Sequence, residues 1–359
     1  MDFIVKYRIK YREKFLKFLK NNKEVKVVKQ LSQNTREGDV FMVQYDKKFV
    51  TKKVVDLAKL YKSKDSVKLY NMTIHDYSKL NKKNTLIDYP SLIEIHSYRL
   101  INELIFFNVC PNFQMNYYSF VTTENNKLKE VVIYNEYIKY GDLEKFLTNN
   151  ELNDKMMFNI LFQIIIALTS MKIQLNMIHY DLHKKNILVK KVEKGGYWTY
   201  ILNKRKYYLK NMGFVILLTD FGFANIPTKL VFSVWHLEYD NFNKYTIDYY
   251  DMFKIINSFN NIVDKNGNDK NLPELFKFVL QSCFIKNEIN RKISLQQKIQ
   301  NIFIKGVCYN KYNIAEYLPY NLSKKPKNSF NIETYKVDKR IDTKLIQYKG
   351  YNNFFNQNL

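Results

Sequence analysis

The chain has few of the residues that crosslink a backbone or bend it sharply. Its 359 residues include 9 glycines, 6 prolines and 3 cysteines, which argues against a collagen-like, loop-dominated or sandwich-type protein. Cys110, Cys283 and Cys308 lie far apart and lack the spacing of a metal site. We therefore expect a reducing compartment, the cytoplasm being the simplest.

Long apolar runs are scarce as well. The longest, ILFQIIIALTSM at 160–171, is too short to span a bilayer. The N-terminal stretch MDFIVKYRIKYREKF is charged from its start and is unlike a signal peptide. We expect a soluble intracellular protein with no membrane span.

Positive charge, in contrast, is abundant, and the formal net charge is +24. A hydrophobic fraction of 46% with 16% aromatic residues is typical of a folded domain and not of a disordered chain. Because the lysines are scattered singly and in pairs, we interpret most of them as solvated surface. Contact with nucleic acid or with an acidic protein partner stays open as an alternative.

Hydrophobic periodicity divides the chain into a strand-rich first third and a helix-rich remainder. Strands are predicted within 25–55 and over 130–138, and helices over 91–107 and 155–175. Short strands return after the second helix, and helices dominate from about residue 250. The pattern predicts an α+β protein.

Two short motifs carry the chemistry. In HYDLHKKN, Asp181 and Asn186 sit five residues apart, and in TDFG, Asp220 follows an apolar strand. Phosphoryl transfer needs a carboxylate at the attacking hydroxyl, oxygen ligands for Mg²⁺ and a cation on the phosphates. The spacing lets Asp181 face a hydroxyl while Asn186 and Asp220 face a metal ion.

HYDLHKKN followed by DFG resembles the catalytic and metal-binding motifs of the eukaryotic protein kinases. The resemblance spans roughly residues 25–300. It implies an α+β, bilobal protein-kinase-like fold, with a small β-rich N-lobe over 1–138 and a larger helical C-lobe over 139–320. By composition, residues 321–359 are a polar basic tail, which we expect to dock loosely on the folded body. The resemblance also implies ATP and Mg²⁺ as cofactors, protein substrates, and transfer of the γ-phosphate to serine or threonine hydroxyls.

The resemblance assigns the clamp on the phosphates. FVTK is similar to the Val-Ala-Ile-Lys strand of kinases, which makes Lys52 the preferred phosphate-binding lysine, with Lys53 and Lys48 as rivals. Its acidic partner is expected on the helix before CPNF. Glu94 is preferred there, and Glu103 stays open.

VVIYNEYIKYGDLEKFL resembles the kinase hinge, which contacts adenine through its backbone. The resemblance gives this role to Glu136, Tyr137 and Ile138. Asn135 would then control the depth of the pocket, and Asp142 would lie near the ribose. Downstream, DYYDMF resembles the helix whose leading aspartate, Asp251 here, braces the catalytic loop.

Several positions depart from the kinase pattern. The glycine-rich phosphate loop is reduced to Gly38 in SQNTREGDV, and Tyr180 replaces the arginine of the catalytic loop. His183 stands where serine/threonine kinases carry a lysine, a role that Lys184 or Lys185 could take. An insertion at about 191–213 is predicted to form an aromatic hairpin. Such insertions are similar to those of kinases from large DNA viruses, which would place the protein in the host cytoplasm or the virion.

Two other functions stay open. HYDLHKKN also resembles the HGDLHxxN loop of aminoglycoside and choline kinase-type enzymes, so a small-molecule phosphotransferase is an alternative. The missing glycine loop makes a pseudokinase that acts as a scaffold the second alternative. His179 is expected to be structural, holding the loop by packing and hydrogen bonding.

Overall fold

A computed structural model describes most of the chain. The described residues are 4–21, 23–35, 38–57, 90–125, 127–225, 250–259, 262–274, 276 and 322–339. They form the α+β, two-lobed arrangement that the kinase resemblance implies, with a five-stranded antiparallel sheet in the first lobe. The predicted helices beyond residue 276 lie outside the described residues.

The sheet of the first lobe follows the order β1-β2-β3-β5-β4. Its strands are β1 (Lys26–Thr35), β2 (Gly38–Tyr45), β3 (Lys48–Asp56), β4 (Asn116–Glu124) and β5 (Lys127–Glu136). β3 lies at the centre and pairs with β2 and β5. The sequence predicted the first three strands and β5, because β-branched residues alternate there with polar ones.

A long helix, α2 (Pro90–Phe106), packs against this sheet. Pro90 is its first residue, a position that proline favours because the missing N–H needs no partner there. Twelve of its seventeen residues are buried, which gives the helix a fixed rotation about its axis. The polar side chains of α2 are therefore held at defined points between the two lobes.

The second lobe is built around α4 (Asp154–Leu175), which follows the short helix α3 (Leu143–Asn149). The side chain of Asn153 caps the start of α4 by accepting from the N–H of Met156, and Asn176 ends the helix in the left-handed conformation. By length and composition α4 could cross a membrane, but 89% of its most apolar window is buried inside the protein. It is the core helix of this lobe.

Two short strands, β6 (Ile187–Lys191) and β9 (Phe214–Leu218), pair antiparallel beside α4. They hold the ends of both chemical motifs, because HYDLHKKN runs into β6 and TDFG leaves β9. Between them, β7 (Tyr197–Leu202) and β8 (Arg205–Lys210) form the predicted hairpin. Its aromatic residues Tyr197, Trp198, Tyr200 and Tyr207 are buried, so they serve packing.

Part of the predicted polar tail belongs to the folded body. β10 (Asn331–Lys336) pairs in parallel with β7, so the hairpin becomes a three-stranded sheet. Tyr335 and Val337 are fully buried. The expectation of a loosely docked tail is wrong for this segment, because alternate apolar residues of ETYKV fit a half-buried strand.

The sequence analysis also missed the first helix, α1 (Ile4–Lys20). Its buried side chains are Ile4, Val5, Arg8, Phe15 and Phe18. The N–H of Val5 donates to Oε1 of Glu333 at 3.3 Å, which ties α1 to β10. The two ends of the described chain therefore meet on the same side of the molecule.

We predict that Tyr335→Ala lowers the free energy of unfolding by about 3 kcal/mol, because it removes a fully buried ring from the core. Lys336→Ala is the matched control on the same strand, exposed to solvent, and should change stability by less than about 0.5 kcal/mol. Denaturant unfolding of the full chain measures both. Equal small effects would show that β10 is not part of the cooperative core.

Candidate functional site

The loop formed by HYDLHKKN is held in place by one buried carboxylate. Asp251, in α5 (Tyr250–Phe259), accepts hydrogen bonds from the N–H groups of His179 and Tyr180, each at 2.8 Å. Burial raises the pKa of Asp251, and the charge of His179 and the two backbone bonds oppose that rise. The predicted brace is confirmed.

His179 fixes the same loop from the other side. Its Nε2 lies 2.8 Å from the carbonyl oxygen of Thr219, directly before Asp220, and its ring packs on Phe221. The predicted structural role of His179 is confirmed. Tyr180 has a φ of +63° and its ring contacts Tyr250, so the residue that replaces the usual arginine turns the backbone and packs.

Asp181 and Asn186 meet at the mouth of this loop. The side-chain nitrogen of Asn186 donates to the carbonyl oxygen of Asp181 at 2.9 Å and approaches its Oδ2 at 3.3 Å. Burial alone would raise the pKa of Asp181, but the hydrogen bond and charge of His183 and the charge of Lys254 lower it below its usual value. Asp181 is therefore held as a carboxylate.

A second cluster joins the first lobe to the TDFG turn of the second lobe. Nζ of Lys53, on β3, lies 2.8 Å from Oε2 of Glu94 on α2 and 3.6 Å from Oδ1 of Asp220. Asp220 has a φ of +61°, and its N–H donates to the hydroxyl of Tyr98 at 3.4 Å. One helix, α2, thus positions both the glutamate and the aspartate around a single lysine.

The choice of Lys52 for this position is wrong. Successive side chains of a strand point to opposite faces, and Lys52 points to the ring of Tyr134, 5.9 Å away. The signal was present in the sequence, because Val50-Thr51-Lys52-Lys53 shares its first and last residues with Val-Ala-Ile-Lys and places Lys53 last. The alternative alignment, which begins at Phe49, places Lys52 last.

Of the two candidate glutamates, Glu94 is the one that contacts the lysine. The pKa of Glu94 is raised to about 7, because burial and the charge of Asp220 raise it more than the charge of Lys53 lowers it. Glu103 lies about two and a half turns of α2 further on, near Arg12 of α1, and burial raises its pKa. It belongs to the packing of α1 on α2 and not to this cluster.

The backbone groups of Glu136, the first of the predicted hinge residues, have hydrogen-bond partners within the protein. Its N–H donates to the carbonyl oxygen of Met115 at 2.9 Å, and its own carbonyl accepts from the side chain of Gln114 at 2.8 Å. Both backbone groups predicted to read adenine are bonded within the protein. Tyr137 and Ile138 follow outside regular secondary structure, and the ring of Tyr137 contacts Phe49.

The side chain of Glu136 forms a buried charge cluster with two cations. Arg8 of α1 donates from Nε to Oε2 at 2.9 Å, and Lys190 of β6 contacts Oε1. Arg8 also donates to the carbonyl oxygens of Pro111 and Phe113. Burial would raise the pKa of Glu136, but the two cations more than offset it and lower the pKa.

Asn135 and Asp142 each have a structural partner. Asn135 accepts from the side chain of Asn116 at 2.8 Å, and Asn116 in turn bonds Asn102 of α2. Asp142 is the N-cap of α3, where its side chain accepts from the N–H of Lys145 at 2.8 Å. The structure therefore gives both residues roles that do not depend on a ligand.

Gly38 lies where the phosphate loop of kinases would end. Its φ is +100°, and a Cβ there would collide with the carbonyl oxygen of Val54. Glycine at this position allows β2 to approach β3 closely. The tip of the turn, residues 36–37, lies outside the described residues.

We predict that Arg8→Met lowers the free energy of unfolding by about 3 kcal/mol, because it leaves Glu136 buried with one cation instead of two. Lys10→Met, on the exposed face of the same helix, is the control and should change stability by less than about 0.5 kcal/mol. Chemical denaturation compares them. A near-neutral Arg8→Met would show that Lys190 alone satisfies Glu136.

Comparisons with known proteins find similarity to kinases. The family model described as protein tyrosine and serine/threonine kinase matches residues 100–229. A frog virus 3 protein named "Putative serine/threonine-protein kinase 019R" is 38% identical over 68 residues, which are 18% of this chain and 8% of that protein.

Two proteins of invertebrate iridescent virus 3 also match. "Probable kinase 098L" is 32% identical over 97 residues, 27% of this chain and 18% of that protein. "Uncharacterized protein 011L" is 25% identical over 148 residues, 37% of this chain and 20% of that protein. The chain spans a fifth or less of the length of these curated relatives.

Proposed function

We propose that this chain, a divergent member of the protein kinase family with relatives in large DNA viruses, transfers the γ-phosphate of ATP to serine or threonine hydroxyls of proteins. The observation that carries the proposal is the cluster of Lys53, Glu94 and Asp220. It is joined to the loop bearing Asp181 and Asn186, because the N–H of Thr219, directly before Asp220, donates to the carbonyl oxygen of Asn186 at 3.1 Å. Each polar group that phosphoryl transfer requires has a side chain in this cleft.

The roles follow from charge and geometry. Lys53, oriented by Glu94, would bind the phosphates, and Asp181 would accept the proton of the attacking hydroxyl. The hydroxyl oxygen bonds to the γ-phosphorus as the bond to the β–γ bridging oxygen breaks, and ADP leaves. The protein contributes mainly position and preorganised charge.

The donors present fit a magnesium ion. In the described part of the chain, no three His, Cys, Asp or Glu side chains form a metal cage. Mg²⁺ needs few protein ligands, because it keeps several waters and binds substrate phosphates. Asn186 and Asp220 would supply an amide oxygen and a carboxylate, and the bound ion would neutralise charge on the transferred phosphate.

Adenine recognition falls to the later hinge residues. Because the backbone groups of Glu136 are bonded within the protein, Tyr137 and Ile138 are the residues proposed to contact adenine. Asp142 would reach a ribose only by leaving its helix cap. These contacts, the ATP and magnesium dependence, the serine or threonine acceptor and a cytoplasmic or virion location are all part of the proposal.

A first test measures transfer of labelled γ-phosphate from Mg-ATP to the protein itself, to basic and acidic protein substrates and to small alcohols. We expect label on serine or threonine, reduced at least about 100-fold in Asp181→Asn, which keeps the shape of Asp181 but cannot accept the proton. Label on small alcohols alone would favour the aminoglycoside kinase-type alternative. A folded protein without any transfer would favour the scaffold.

A second test compares neighbouring lysines. Lys53→Met should reduce kcat/KM at least about 100-fold, because it removes the cation between Glu94 and Asp220. Lys52→Met should stay within about two-fold, because its side chain lies against Tyr134 on the other face of the strand. Steady-state kinetics with the same protein substrate measures both. The reverse order of effects would contradict the assignment.

A further inference from the structure

The catalytic loop lacks a lysine two residues after Asp181, where His183 stands. The two lysines that follow do not take its place. Lys184 lies 3.7 Å and Lys185 3.6 Å from the carboxylate of Glu144 on α3, so both pair with Glu144.

A lysine from a different element approaches Asp181 instead. Nζ of Lys254, on α5, lies 3.5 Å from Oδ1 of Asp181. Nε2 of His183 lies 3.6 Å from Oδ2 of the same carboxylate, which places the two groups on its two oxygens. The side chain of Lys254 is 37% exposed, so it is not locked in the core.

The position of Lys254 is coupled to the loop by the helix that carries it. Asp251 precedes it by three residues, and residues three apart share one face of a helix. Because Asp251 bonds the backbone of the loop at two points, α5 cannot shift relative to Asp181 without breaking those bonds. The ring of Tyr250, directly before Asp251, lies under the ammonium group of Lys254, with Nζ 5.7 Å from the ring centroid.

We propose that Lys254 is a positioning residue for Asp181 and replaces, from α5, the lysine that the loop lacks. This inference rests on the proposed phosphoryl transfer. The ammonium group contacts Oδ1, while His183 and Asn186 contact Oδ2. Contacts on both oxygens hold the carboxylate of Asp181 in one rotamer. A cation at this point also lies next to the place where the anionic phosphoryl group transfers.

The test replaces Lys254 and then restores the missing loop lysine. Lys254→Met should lower kcat about 10- to 100-fold and leave the KM for ATP within about two-fold, because misplacing a reacting group affects the chemical step. Lys254→Arg, which keeps the charge, should recover most of kcat. Lys129→Met is the control, since Lys129 is 46% exposed and pairs with a carboxylate, Glu124, far along the sheet.

The decisive variant is the double substitution His183→Lys with Lys254→Met. If Lys254 supplies the cation that the loop lacks, a lysine at position 183 should recover at least about ten-fold of the lost kcat. A Lys254→Met variant that keeps kcat, or a double variant without recovery, would overturn the inference while the wild type remains active. A wild type without any transfer would instead overturn the proposed function, and this inference with it.

Discussion

The buried charge cluster at Glu136 is the constraint on which the arrangement of the two lobes depends. Glu136 ends β5 of the first lobe, Lys190 lies on β6 of the second, and Arg8 comes from the N-terminal helix. A carboxylate buried to 2% exposure is stable only when its charge is compensated and its oxygens are bonded. The same carboxylate therefore ties three elements together at the hinge.

This constraint explains why α1 is part of the folded body. The guanidinium of Arg8 is also almost fully buried, and it needs acceptors for all its donors. Glu136 and the carbonyl oxygens of Pro111 and Phe113 accept from its three nitrogens. Removing α1 would leave these groups without their donor, so the helix supports the end of β5.

Much of the site could be predicted because its residues are close in sequence. HYDLHKKN and TDFG specify a loop and a turn, and their spacing to the strands that follow fixes where Asp181, Asn186 and Asp220 lie. Asp251 could be predicted for the same reason, since DYYDMF begins a helix at a recognisable distance. Local patterns carry this information without any knowledge of distant contacts.

The parts that could not be predicted depend on contacts between distant residues. Arg8 and Glu136 are separated by 128 residues, and β10 meets β7 more than 130 residues away. Nothing local in the sequence distinguishes Arg8 from the other cations of a chain with 58 lysines and arginines. The prediction of Lys52 instead of Lys53 was wrong for a different reason. Adjacent residues of a strand point to opposite faces of the sheet, so a shift of one residue in the motif selects the wrong face.

The HYDLHKKN loop is held by side chains that come from one distant helix. Tyr180, where the kinase resemblance expects an arginine, packs on Tyr250 of α5. Asp251 and Lys254 of the same helix contact the loop backbone and Asp181. α5 thus contacts the loop through three of its residues, by ring packing, hydrogen bonds and charge. Because Asp251 and Lys254 lie three residues apart on one face of the helix, the backbone and the carboxylate of the loop are held by the same element.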